Sequence, residues 1–271
     1  MDWRDTKKRI VIGAVAILAA GFLFIFRDRV SSLFNFGPDF SKKVSDLPIQ
    51  KEPKESQKKE EPVVEKPKLP PLYTGRDPVE IRPVPEEVKL FTEAQKEKLY
   101  ADIRAHARVV ADDPDTLFSW IQLGNLKKMI GDFEGARDAW EYASLIRPSN
   151  SVSFANLGEL YWRYTPNYPM AEKNFLTSIK NKPDDSDTYI SLSGLYSYSY
   201  AEKEHLADDV LLEGIAANSK DVNLLKSLAN LYERQKEYVK AIEWWQKVLE
   251  KEPGNASVIL TIEALKKGSG R

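Results

Sequence analysis

The 271-residue chain has no cysteine, three methionines and two histidines. The missing cysteine excludes disulfides, thiolate catalysis, cysteine-based metal sites and an acylated cysteine together. His106 and His205 lie far apart, and neither has a metal-ligand partner at helical spacing. No glycine-rich phosphate loop or nucleophile elbow occurs. An excess of one charge is missing too: 40 Lys and Arg stand against 41 Asp and Glu, so no global field recruits nucleic acid. No catalytic residue, metal site or cofactor is therefore expected.

What is present begins with an apolar run of seventeen residues, 10–26, IVIGAVAILAAGFLFIF. As a helix it is roughly 26 Å long against a bilayer core of about 30 Å. Its flanks can supply the difference. Lys7, Lys8, Arg9, Arg27 and Arg29 can snorkel, and Trp3, Phe34 and Phe36 suit the interfaces. A cleaved signal peptide is the competing reading, but Ala14-Val15-Ala16 lies too early. Val30-Ser31-Ser32 is cut off from the run by Arg27-Asp28-Arg29, and the run ends in bulky residues. A transmembrane anchor over 10–26 is expected, behind a basic tail over 1–9. Arg4, Lys7, Lys8 and Arg9 outweigh the distal flank, which leans towards a cytoplasmic N-terminus with the rest of the chain outside.

Residues 38–90 carry ten of the sixteen prolines, interleaved with Lys and Glu. Proline removes helix donors, and mixed charge with few aromatics cannot offset the entropy of folding. The expectation is a disordered linker over 27–91, a solvated tether. A proline-recognition ligand around Pro67 to Pro71 is the lesser alternative.

Self-similarity organises the remainder. Trp120, Phe154, Tyr189 and Leu225 are spaced by 34, 35 and 36 residues. Ala136, Ala171, Ala207 and Ala241 follow, then Trp140, Phe175, Leu211 and Trp245 in the same phase. Leu123-Gly124, Leu157-Gly158, Leu192-Ser193 and Leu228-Ala229 sit just after the first residue of each set. Pro114, Pro148, Pro183, Ser219 and Pro253 punctuate the ends. This pattern resembles the tetratricopeptide repeat, W-x2-L-G-x2-Y…A-x3-F…P, four times over 117–255. The units are 117–150, 151–185, 186–221 and 222–255. Unit one carries Lys127 in place of the Tyr, and unit three is the most degenerate.

The resemblance implies an all-α solenoid of helical hairpins, with capping helices covering the exposed ends. Residues 92–113 supply the front cap, with Thr92 and Gln95 at capping-box spacing. Residues 256–267 supply the back cap, through Ile259 and Ile262, with a stop at Lys266, Lys267 and Gly268. It also implies that first helices line a concave groove for a protein or peptide. By register, that lining is Asn125, Lys128, Asn156, Trp162, Arg163, Tyr198, Lys226, Asn230 and Arg234. Lys226 and Asn230 take places used by carboxylate-clamp members of the family. Ile121 and Asp187 stand where such members carry basic residues, so a complete clamp is not expected. The function read from this is a membrane-tethered interaction scaffold in a bacterial envelope. Its repeats would lie on the extracytoplasmic side of the inner membrane and serve assembly or secretion. The alternatives are a regulatory subunit of an envelope enzyme, or an enzyme whose site is unrecognised.

Overall fold

The computed structural model describes residues 69–269. The described residues all lie within one compact unit, 66–271. The expected tail, the anchor over 10–26 and most of the linker lie outside them. Among the described residues, no helix is long and apolar enough to cross a membrane.

These residues form helices joined by short loops, with no strand among them. A short α1 (Pro85–Val88) precedes α2 (Glu93–Asp112). Four hairpins follow: α3 (Leu117–Met129) with α4 (Phe133–Ile146), and α5 (Val152–Arg163) with α6 (Tyr168–Asn181). Then come α7 (Ser186–Tyr198) with α8 (Ala207–Ala217), and α9 (Val222–Arg234) with α10 (Tyr238–Lys251). The closing helix is α11 (Ala256–Ser269).

The repeat residues explain the hairpins. The indole of Trp140 lies across Gly124, where a Cβ would come within 2.3 Å of the ring; the ring of Phe175 covers Gly158 in the same way, at 2.6 Å. The first two hairpins thus close by an aromatic of the second helix packing on the bare backbone of the first. In unit three Ser193 replaces that glycine, and its hydroxyl donates to the Ala207 carbonyl at 2.8 Å. The substitution keeps the approach close and satisfies a buried polar group. The extra residues of units two and three fall in the turns, the second accommodated by a 3-10 segment, Ala201–Leu206. Gly131 closes the α3–α4 turn at φ +81, and Asp132 caps α4 by accepting the Gly135 N–H at 3.0 Å. Lys236 holds the equivalent place in unit four, at φ 62.

The consensus tyrosines tie successive units together. Tyr161 donates to Glu141 at 3.1 Å, Tyr196 donates to Glu172 at 2.5 Å, and Tyr232 donates to Asp208 at 3.1 Å. Each acceptor lies on the second helix of the preceding unit. Burial, and then these carboxylates, raise the phenols: Tyr161 and Tyr232 to about 12, Tyr196 further.

Unit one has no preceding unit, and here the structure corrects the sequence reading. Residues 69–91, expected as the end of a solvated linker, lie against the first hairpin. The Tyr73 ring meets Trp120 at 4.6 Å and Tyr142 at 5.3 Å between centroids. Tyr142 donates to the Pro71 carbonyl at 2.7 Å. Asp138 accepts the Arg76 backbone N–H at 3.0 Å and its guanidinium at 2.6 Å, and Glu134 pairs with the same guanidinium. The Val84 N–H donates to the Ile130 carbonyl at 2.7 Å. Lys127, where the other units carry Tyr, reaches the Glu80 carbonyl at 2.6 Å and Asp132 at 3.0 Å while almost wholly buried. The strap serves the first repeat as each repeat serves the next, and Lys127 is the residue fitted to it. Local composition missed this because the strap's partners lie about sixty residues downstream.

The front helix α2 starts with the expected capping box of Thr92 and Gln95, and buries Ile103, Ala107 and Val110. At the back, α11 buries Val258 and Ile262 against Leu225, Ala229, Trp245 and Val248. Ile259, expected on that face, is 39% exposed, because Val258, four residues before Ile262, takes the inner position instead. The helix also runs through Gly268 to Ser269 rather than stopping there. His106 is half-buried near Ser119 and Phe118, with its pKa lowered by burial, and His205 is exposed in the 3-10 segment.

Candidate interaction face

The first helices α3, α5, α7 and α9 present one register-related row after another. The last residues of α3, α5, α7 and α9 are Met129, Arg163, Tyr198 and Arg234, one from each unit. The row one position earlier is Lys128, Trp162, Ser197 and Glu233.

Not all the expected lining residues are available to a ligand. Trp162 is only 8% exposed and belongs to the core. Its indole fills the slot left by Gly194 of α7, where a Cβ would lie 2.6 Å away, and its N–H donates to Ser199 at 2.9 Å. This corrects its expected role as a groove anchor. Gly194, unfavourable in a helix interior, was the sequence signal that a neighbour approaches closely there. Asn125 and Asn156 are half-buried and bond to each other at 3.1 Å. Lys128 faces Glu159 at 3.4 Å and lies over the Tyr164 ring. Lys226 pairs with Glu252 at 2.8 Å, and Asn255 holds the other oxygen of that carboxylate. Trp162, Asn125, Asn156 and Lys128 couple neighbouring units, and Lys226 ties α9 to the end of α10 within unit four.

Tyr198, Asn230 and Arg234 do come together. They line a cleft of about 160 Å³ between α7 and α9. Its polar wall adds Ser197 and Ser227, and its apolar floor includes Ile190, Leu211 and Leu231. The cleft stays open where unit three carries Ser197 at the register at which unit two carries Trp162; the space beside Gly194 is already taken by the Trp162 ring. Ser197 is legible in the sequence as a gap in that row of larger residues. Tyr198 is 73% exposed, and the Arg234 guanidinium stacks over its ring at 4.1 Å. Neither Arg234 nor Asn230 has a side-chain hydrogen bond within the described residues. Arg163 is exposed and stacks on Trp162 at 3.8 Å.

Chemically, the cleft offers an amide that can both donate and accept, two hydroxyls, an aromatic edge and a cation over an apolar base. That set suits the backbone and side chains of an extended peptide. No group of three or more His, Asp or Glu placed to hold a metal occurs among the described residues.

Residues 222–255 match the family model of the tetratricopeptide repeat. No curated protein matches the chain by sequence. Solved structures share its fold at low identity. Pseudomonas aeruginosa PilF is 16% identical over 68% of this chain and 83% of its own, with a TM-score of 0.51. A tetratricopeptide repeat protein from Parabacteroides merdae is 16% identical over 68% and 73%, with a TM-score of 0.50. MamA is 19% identical over 62% and 98%, at 0.49. The fold is the tetratricopeptide-repeat solenoid. The chain carries a tetratricopeptide repeat at 222–255, in α9 and α10, the fourth of its helical hairpins.

Proposed function

We propose that this protein is an interaction scaffold that holds an extended segment of a partner protein along α5, α7 and α9, centred on the α7–α9 cleft. The carrying observation is that cleft: Asn230 and Arg234 stand unpaired beside an exposed tyrosine, over an apolar floor. Most other polar side chains of this face are spent on contacts between units. The apolar run over 10–26 and its basic flank support a single membrane anchor, with the repeats on the extracytoplasmic side of a bacterial inner membrane. The proline-rich stretch would supply reach, but only up to residue 68, since the strap from 69 onward is part of the folded unit.

Truncating an aromatic or arginine anchor commonly costs 2 kcal/mol or more, roughly thirtyfold in affinity. Tyr198→Ala and Arg234→Ala should each weaken partner capture by the full chain on that scale, with helicity and melting nearly unchanged. Lys173→Ala, on the exposed side of α6, should do neither. Normal capture by both cleft variants would reject the reading.

A further inference from the structure

We infer that the segment held on this face is acidic, and that Arg163 and Arg234 each take one of its carboxylates. This rests on the preceding reading of the face and names the chemistry of its ligand. Arg163, Tyr198 and Arg234 end α5, α7 and α9 at matching register, so they form a row across three units. Each guanidinium carbon lies over an aromatic ring, Arg163 over Trp162 at 3.8 Å and Arg234 over Tyr198 at 4.1 Å from the centroid.

The other described arginines differ. Arg76, Arg82, Arg137 and Arg147 each pair with a carboxylate. Arg104 and Arg108 lie on α2, ahead of the first repeat. Arg163 and Arg234 thus combine a stacked ring with no carboxylate partner among the described residues. Stacking fixes the guanidinium plane and leaves its N–H edges available. A planar, bidentate acceptor fits those edges, and less side-chain entropy is lost on binding.

The charge balance of the face points the same way. Its lysines are already neutralised, Lys128 by Glu159 and Lys226 by Glu252. Glu233, beside Arg234 in sequence, accepts the indole N–H of Trp245. The charge without an ion-pair partner at this end of the first helices is therefore two cations against the single carboxylate of Glu233, a net positive balance. Packed helices stand about 8–10 Å apart, so the axes of α5 and α9 lie roughly 16–20 Å apart, and both guanidiniums lean inward towards α7, onto the Trp162 and Tyr198 rings. An extended chain rises about 3.3 Å per residue, which places the two carboxylates no more than about six residues apart. The residues between them cross Tyr198 and present a side chain to the cleft.

The test is display selection of random twelve-residue peptides on the full chain at low salt, followed by anisotropy titration of the selected peptides. Peptides with two Asp or Glu within about six residues of each other are expected. Arg163→Gln and Arg234→Gln should each weaken them by about tenfold. Replacing the matching peptide Glu by Gln should cost the variant little more. Raising salt from about 0.05 to 0.5 M should weaken the wild type more than either variant. If selected peptides are neutral or basic, or ignore both arginine variants, yet lose affinity with Tyr198→Ala or Asn230→Ala, the acidic assignment falls and the face remains a binding surface. If no peptide is enriched, or none responds to any of the four substitutions, both readings fall.

Discussion

Removing the Tyr73 ring would show whether the strap is part of the fold. The ring is partly buried between Trp120, which is 1% exposed, and Tyr142, which is 4% exposed, and its hydroxyl donates to the Arg76 carbonyl at 2.8 Å. Deleting a fully buried aromatic costs about 3–5 kcal/mol. Part-burial scales that down, while exposure of Trp120 adds to it, so Tyr73→Ala should cost about 2–3 kcal/mol. In a solenoid each unit contacts only its neighbours, so the loss should be local rather than global. Hydrogen exchange on the full chain reads this directly. Amides of α3 and α4, and the Val84 N–H that bonds to Ile130, should exchange faster by roughly thirtyfold or more, while α9 and α10 keep their protection. Unchanged protection in α3 and α4 would refute the reasoning, since the strap would then lie on the first hairpin without stabilising it.

The remaining expectations concern contacts throughout the repeats and the strap. Trp140→Ala should destabilise by about 3–5 kcal/mol in a chemical melt, and Gly124→Ala by about 1–3 kcal/mol, because the added methyl meets the rigid indole. Trp162→Ala should lower the melting temperature, as expected of a core residue, where Arg234→Ala should not. Lys236→Gly, which relieves a left-handed backbone, should raise stability by up to about 1 kcal/mol. The phenols of Tyr161 and Tyr232, pushed up to about 12 by burial and by Glu141 and Asp208, hold their protons longer folded than unfolded. Their stabilisation is complete below about pH 10 and is lost as pH rises towards 12, so melting temperature should hold to pH 9 and fall beyond pH 10. Burial alone would raise the Asp138 carboxyl, but the backbone N–H and guanidinium of Arg76 outweigh it and hold the group below its ordinary value. That contribution is present above the unfolded carboxylate pKa and fades as pH falls through the lower folded one, so strap amides should lose protection only below about pH 4.

The hairpins were legible because their signal is periodic: the aromatic, the small residue and the alanine recur in phase, and each has a packing reason to do so. The strap was not. Its prolines and charges read as solvated chain, and its anchors, Asp138 and Lys127, lie in another element. Lys127 did break the pattern, and only the Glu80 carbonyl explains why. The face was half legible. Register brings Tyr198, Asn230 and Arg234 to one cleft, since equivalent positions of neighbouring units adjoin. It misjudged Trp162, because size suggested an anchor while Gly194, a helix away, had made room for the ring. The back cap was misjudged by one position for a related reason: Val258, Ile259 and Ile262 are all apolar, and only packing against Trp245 and Val248 selects Val258 and Ile262.

The most direct test of the proposed scaffold role is site-specific photocrosslinking of the full chain in cells. A photoreactive residue replaces Ser197 inside the α7–α9 cleft or, as a control, exposed Lys173 on α6. A discrete protein adduct at position 197, absent at 173 and lost when Arg234→Ala is added, is the predicted result. Adducts at 173 with none at 197, or a 197 adduct indifferent to Arg234→Ala, would contradict it.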